Sequence, residues 1–314
     1  MDALAEDRRA DSSATKLAVL VNAKGGTAQS LEKGSLREDL EKAFAGADIR
    51  FTHGDDVPEA VQEVFSDDAI EEVIVAGGDG TVSLAAKASV ESGKPFGVIP
   101  LGTMNLFART MRLPLEPADA IEALRRRKVR EIDVGEVNGE TFVNHVSLGF
   151  HPQLIRMRDA IPRTNRAQRM WNGVRVWWRL MSRHTRHKLT VSGDFDPFGA
   201  KAGLAAVSVN PIMEGVAQIP HPDGQRAGVL GIYVSTHATA WELNKVLYRM
   251  AAGTLSDSEH IEIRHSPECV IRGSRSFHMS IDGEVFVAKS PIRCRVRRRG
   301  LKVLVPVDPL PEDD

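Results

Sequence analysis

The stretch VIVAGGDGTVS, Val73–Ser83, constrains the fold more than any other part of the chain. Its apolar half reads as a strand closed on both faces. Three glycines, an aspartate and a threonine follow at once. Gly77, Gly78 and Gly80 leave no Cβ in the way of whatever approaches the backbone. A helix opens at about Thr81 and closes at Gly93. The loop therefore delivers unpaired N–H groups and a positive dipole end to the tip of a strand, which suits an anion and phosphate above all. Asp79 is discordant there, because a carboxylate repels phosphate. It fits if it holds Mg²⁺ or takes a proton. As a plain turn, the same stretch needs Asp79 only as an N-cap.

The design recurs. KLAVLVNA (Lys16–Ala23) is an apolar strand running into KGGT, with Asn22 and Lys24 ahead of Gly25 and Gly26. PFGVIP (Pro95–Pro100) is another, followed by Gly102, Thr103 and a helix start at Asn105. None of these loops carries the Walker spacing or the dinucleotide fingerprint. Between them lie amphipathic helices at Leu36–Phe44 and Val57–Phe65 and a strand at Ile49–His53. Strand, loop and helix in repetition predict a parallel sheet with helices on both faces, its ligand at the carboxyl ends of the strands.

After Arg130 the texture changes to short β-type runs separated by turns: TFVNHVSLGF, HKLTVSG, GLAAVSVN, GVLGIYVS, HIEIRHS, ECVIRG, FHMSIDGEVF and IRCRVRR. They predict an antiparallel β-sandwich, interrupted by a helical insert over about Pro152–Arg186 and a helix at Ala240–Met250. The expected fold class is α/β plus all-β. Residues 1–15 form a polar, disordered N-terminus, 16–132 a three-layer α/β/α nucleotide domain, and 133–314 the sandwich. The last strand, LKVLVPV, is free to pack on either domain.

Composition narrows the function classes. Net charge is −1 over 314 residues, and no nucleic-acid-reading motif is present, so nucleic acid is excluded as a partner. No apolar run reaches the length of a membrane span, and the N-terminus lacks a signal-peptide core. Cys269 and Cys294 have no metal or redox spacing and read as reduced thiols of a cytoplasmic protein. His145, His151 and His221 lack zinc spacing and read as core or loop residues.

GGDGT, then PLGTMN-FAR about twenty residues on, then DGE far downstream together resemble the diacylglycerol kinase catalytic family, which includes bacterial soluble lipid kinases and, more distantly, sphingosine and ceramide kinases. The resemblance runs from about Lys16 to Val305. It implies ATP and Mg²⁺ as co-substrate and cofactor and an active cleft between the two domains. It implies nucleotide contacts at Asn22, Lys24, Gly25, Gly26, Thr52, Gly77, Gly78, Asp79, Gly80, Thr81, Gly102, Thr103 and Asn105. It places the catalytic base in the DGE segment: Glu284 is favoured, Asp282 is its Mg²⁺-linked or water-linked partner, and Asp79 is the rival base. Asp79 and Asp282 are the candidate metal ligands. The turn reading of DGE is an ordinary type I′ hairpin. The chain also departs from the family pattern. NAKGG lacks the usual proline and serine, and Leu106 follows Asn105 where aspartate is usual. Ala227 and Gly231 stand where carboxylates would hold a structural Mg²⁺, so that second site is expected to be absent, with Asp223 the one substitute.

From Arg156 to Lys188 the chain is rich in arginine, and Met170, Trp171, Val174, Trp178 and Met181 fall on one helical stripe. Such a face suits anionic lipid headgroups, or else packs on the sandwich with its arginines in solvent. RRRK at Arg125–Lys128 and RVRRRGLK near the end add to a positive face or are plain solvated surface. The expected function is transfer of the ATP γ-phosphate to a hydroxyl of diacylglycerol or a similar lipid alcohol, at the inner membrane surface. The alternatives are a NAD-kinase-like phosphotransferase with a soluble acceptor, or a non-catalytic nucleotide or lipid sensor. The oligomeric state is left open, a homodimer included.

Overall fold

The computed structural model describes residues 16–23, 33–149, 152, 187–209, 228–235, 261–273 and 275–307. Four parallel strands build the first half: β1 (Leu17–Asn22), β2 (Asp48–Thr52), β3 (Glu72–Gly77) and β4 (Phe96–Pro100), in the order β2-β1-β3-β4. The inner strands β1, β3 and β4 are apolar on both sides because both sides are covered, whereas the edge strand β2 carries Asp48 and Arg50. On one face Leu17, Val19, Val21, Ile74 and Ile99 meet Leu36, Leu40 and Phe44 of α1 (Lys33–Ala43) and its end, with Ile121 and Leu124 of α5 (Pro117–Arg125). On the other, Ala18, Leu20, Val73, Val75 and Val98 meet Val57, Val61 and Val64 of α2 (Val57–Ser66) and Val82, Ala85 and Ala86 of α3 (Asp79–Ser92). Helix α3 ends on Gly93, whose φ of 75° is left-handed and whose N–H donates to the Ser89 carbonyl.

The second half is an antiparallel sandwich. One sheet has the order β12-β11-β10-β7-β14-β15, from β7 (His145–Gly149), β10 (Leu204–Ser208), β11 (Leu230–Ser235), β12 (Ile261–Ser266), β14 (Ser276–Ile281) and β15 (Glu284–Lys289). Facing it are β8 (His187–Gly193), β9 (Phe195–Ala202), β13 (Glu268–Arg272), β16 (Ile292–Pro306), β5 (Arg127–Val137) and β6 (Glu140–Phe142). Val146, Leu148, Val207, Ile232 and Met279 from one sheet interleave with Phe142, Val191, Ile271 and Cys294 from the other. Cys269 and Cys294 are buried free thiols directly opposite each other on β13 and β16.

Two expectations change. IRCRVRR and LKVLVPV, read as separate strands, are one 15-residue strand, β16. Its first part pairs with β13 and its last with β4, at Val303 opposite Phe96, so it belongs to both halves and joins them into one ten-stranded sheet. Along its length it also pairs antiparallel with β5, with a bulge between Arg297 and Leu301. The buried Asp133 fixes that bulge: its Oδ1 accepts the Arg299 N–H at 2.8 Å and its Oδ2 accepts the Gly228 N–H at 2.9 Å. The sequence marks the bulge only by Gly300, which sits inside it next to Arg299, whose φ of 50° is left-handed. Second, TFVNHVSLGF is not a single run. It breaks at Val143–Asn144 into β6 and β7, for a reason found at the site. The expected insert and the helix at Ala240–Met250 lie outside the described residues, as do residues 1–15.

Candidate active site

The parallel strands end side by side. Asn22 of β1 is in register with Thr52 of β2, and Gly77 of β3 with Pro100 of β4. The Ala23 N–H donates to the Thr52 carbonyl at 3.0 Å, and the Leu101 N–H to the Gly77 carbonyl at 2.9 Å. The loops after β3 and β4 therefore leave from one edge, beside the end of β1. Lys24, Gly25 and Gly26 lie outside the described residues, as does Asp223.

The glycines are explained by contact. A Cβ on Gly77 would lie 2.7 Å from the Thr81 Cβ, and Thr81 is held in place by the Asn22 Nδ2, which donates to its Oγ1 at 2.9 Å. A Cβ on Gly102 would lie 2.7 Å from the Gly78 Cα, so the two glycine loops are stacked backbone on backbone. Asn105, at a left-handed φ of 49°, folds its side chain onto Gly102: its Oδ1 accepts the Gly102 N–H and its Nδ2 donates to the Gly102 carbonyl, both at 2.9 Å. Asp79 completes the joint. Its Oδ2 accepts the Asn105 N–H at 3.0 Å and its Oδ1 the Leu106 N–H at 2.7 Å. It thus caps not its own helix but the next one, α4 (Leu106–Thr110). Thr103 is exposed at the rim.

This leaves the start of α3 open. Gly78 supplies no side-chain cap, and the first backbone helical bond runs from the Val82 N–H to the Gly78 carbonyl. The amides of Asp79, Gly80 and Thr81 have no helical partner. Gly80 is exposed, and among the described residues a Cβ there would meet no atom within 4 Å. Among the described residues nothing covers these amides, and free amides at a helix N-terminus suit an anion.

The sandwich brings its acidic hairpin to this point. Asp282 (φ 47°) and Gly283 (φ 96°) form a two-residue turn between β14 and β15, with Ile281 paired to Glu284. Both left-handed angles match the type I′ hairpin. The Asp282 carboxylate reaches across the break between β6 and β7. Its Oδ1 accepts the N–H groups of Asn144 and His145, each at 2.9 Å, and its Oδ2 accepts the Val143 N–H at 2.8 Å. That is why β6 and β7 part: their connecting amides point at a carboxylate instead of a strand. The fourth donor is the Ser83 hydroxyl of α3, at 3.4 Å. Burial pushes the Asp282 carboxyl above its ordinary value, and the three amides and the nearby Lys87 pull part of the way back. Burial likewise lowers the His145 imidazole. The Glu284 side chain is exposed at the hairpin mouth, and no hydrogen bond or ion pair holds it among the described residues. Among the described residues no group of three or more His, Cys, Asp or Glu side chains gathers into a metal site.

The sequence reading took Ser83 only as the end of the Gly77–Ser83 nucleotide loop, not as a partner of Asp282, and missed the three amides of Val143–His145. A serine in the first turns of a helix and a polar pair inside a β run carry no signal of their own.

Residues 16–137 match the diacylglycerol kinase catalytic domain family. Among curated proteins, the chain is 23% identical to an uncharacterized protein of Synechocystis over 75% of this chain and 55% of that one. It is 24% identical to a diacylglycerol kinase of Bacillus subtilis over 68% of this chain and 70% of that one. A probable lipid kinase YegS-like of Pseudomonas aeruginosa is 44% identical over 80 residues, 25% of this chain and 26% of that one. The match thus spans about half of the first of these relatives and about a quarter of the last. In fold, the chain is similar to a putative diacylglycerol kinase from Bacillus anthracis, with a TM-score of 0.71 at 20% identity over 94% of this chain and 99% of that one.

Proposed function

We propose, on the match of residues 16–137 to the diacylglycerol kinase catalytic domain family, that the chain is an ATP- and Mg²⁺-dependent lipid kinase that phosphorylates a hydroxyl of diacylglycerol or a similar lipid alcohol. One observation carries the reading: the acidic hairpin of the sandwich meets the first turns of the helix that bears the open amides, through Asp282 and Ser83. The reaction would bring its three parties together there.

In this reading the amides of Asp79, Gly80 and Thr81 hold the nucleotide phosphates, with Asn22, Thr52 and Thr103 around them. The family pattern adds Lys24, Gly25 and Gly26 as nucleotide contacts. Glu284 takes the proton of the acceptor hydroxyl as its oxygen bonds to the γ-phosphorus and the bond to the ADP oxygen breaks. A bound Mg²⁺ would neutralise charge on the phosphates. Asp79 fits that ion: its two oxygens accept one amide each, which leaves acceptor capacity on both. One carboxylate plus phosphate oxygens is an ordinary Mg²⁺ environment. Positioning and charge stabilisation supply most of the rate. No described helix is long and apolar enough to cross a membrane. The proposed contact with a lipid substrate is peripheral, at the cytoplasmic face, with Arg156–Lys188 as the anionic-membrane contact.

The test is a lipid-extract phosphorylation screen with ATP and Mg²⁺, read by mass spectrometry. A new phosphorylated lipid alcohol is expected. A water-soluble phosphorylated product would favour the soluble-acceptor reading, and ATP binding without any product would favour a sensor.

A further inference from the structure

Asp282 and Glu284 stand two residues apart, yet their surroundings differ completely. An ionised carboxylate offers about four lone-pair sites. Asp282 has four donors, two on each oxygen: Asn144 and His145 N–H on Oδ1, Val143 N–H and the Ser83 hydroxyl on Oδ2. A general base must have a lone pair within reach of the proton it takes, and Asp282 has none to offer without breaking a bond. A raised carboxyl pKa suits a base, but reach comes before pKa.

The four donors also come from different places. Three are main-chain amides of the β6–β7 connection, and the Asp282 N–H returns the contact by donating to the His145 carbonyl at 3.0 Å. The fourth, Ser83, is buried on α3, one turn past Asp79 and the open amides. Lys87, one further turn along α3, is the charged group that bears on the carboxylate from the same side.

We infer that Asp282 is a positioning residue, a clamp that seats the phosphate-facing turns of α3 against the hairpin and thereby aims Glu284 into the cleft. The inference rests on the kinase reading above. The bond to Ser83, at 3.4 Å, is the longest of the four, so the clamp is firm toward the sandwich and loose toward α3. The variable joint is therefore the one between the two halves of the active site.

The experiment compares wild type, S83A, D282N, S83A/D282N and E284Q by kcat, lipid KM, pH–rate profile and hydrogen exchange. S83A keeps the three amide bonds and is expected to fold. The clamp predicts a kcat loss of several-fold in S83A with lipid KM nearly unchanged, and faster exchange in the first turns of α3. It predicts that the double variant is no slower than D282N, because Ser83 acts through Asp282. It also predicts that the acid limb of the profile survives in D282N and vanishes in E284Q. An acid limb lost in D282N, or an S83A protein with wild-type kcat and α3 exchange, overturns the inference. If wild type transfers no phosphate to any lipid, the kinase reading fails and the exchange data alone decide whether the clamp exists.

Discussion

Replacing Gly102 by alanine tests the stacking of the two glycine loops. The added methyl would lie 2.7 Å from the Gly78 Cα and 2.8 Å from the Asn105 Oδ1, and 3.6 Å from the Asp79 N. Carbon pairs settle at about 3.5–4.0 Å, so the overlap with Gly78 is close to 1 Å. Neither neighbour yields easily. Gly78 offers backbone, and the Asn105 side chain is closed onto Gly102 by two hydrogen bonds. Relief requires the loops to part, which opens that pair and strains the amides that Asp79 caps. Overpacking costs about 1–3 kcal/mol, and losing one or two of these bonds adds about 1 kcal/mol each. A loss of about 2–5 kcal/mol is expected, read as a lowered urea midpoint at unchanged m-value. At roughly 2–4 °C per kcal/mol for chains of 150–250 residues, Tm should fall by several degrees. ATP affinity, measured by calorimetry below the melting range, should fall with it. A G102A protein within about 0.5 kcal/mol of wild type, the usual range for surface substitutions, would refute the stacked-loop argument.

Other outcomes follow from the same geometry. G80A meets no atom within 4 Å, so its stability should hold or rise by up to about 1 kcal/mol from helix propensity. Its methyl would intrude on the open amides and should weaken ATP binding at least about tenfold, or ~1.4 kcal/mol. D133A strands the Arg299 and Gly228 amides and should cost about 2–4 kcal/mol in urea melts. The Asp282 carboxyl is raised on folding, so the folded chain binds that proton before the unfolded chain does. The stability gained from this is fully present below the unfolded carboxylate value and is lost as pH rises through the folded one. D282N should flatten the stability–pH curve across that window, as urea midpoints on both proteins would show.

The α/β half was legible because its signals are local. Continuous apolar runs closed by glycine fix β1, β3 and β4, and Gly93 fixes the end of α3. The gathering of the strand-end loops on one edge followed from parallel topology alone. The DGE turn was legible too, since Asp-Gly at φ 47° and 96° is what a two-residue hairpin demands. What escaped was long-range. Asp79 caps a helix 26 residues away, and Asp282 serves amides some 140 residues distant. Propensity and spacing do not record such partners. The course of β16 through both halves escaped for the same reason: its apolar pattern is interrupted by the bulge that Asp133 holds.

In the proposed mechanism, open amides at the start of α3 hold the phosphates and a carboxylate lent by the sandwich takes the acceptor proton. Transfer of labelled γ-phosphate from ATP to diacylglycerol in mixed micelles, with wild type beside E284Q, tests it most directly. Labelled lipid from wild type and a loss of about 10²-fold or more in E284Q is the predicted result, as removal of a general base requires. Undiminished labelling by E284Q, or none by a folded wild type that binds ATP, would contradict it.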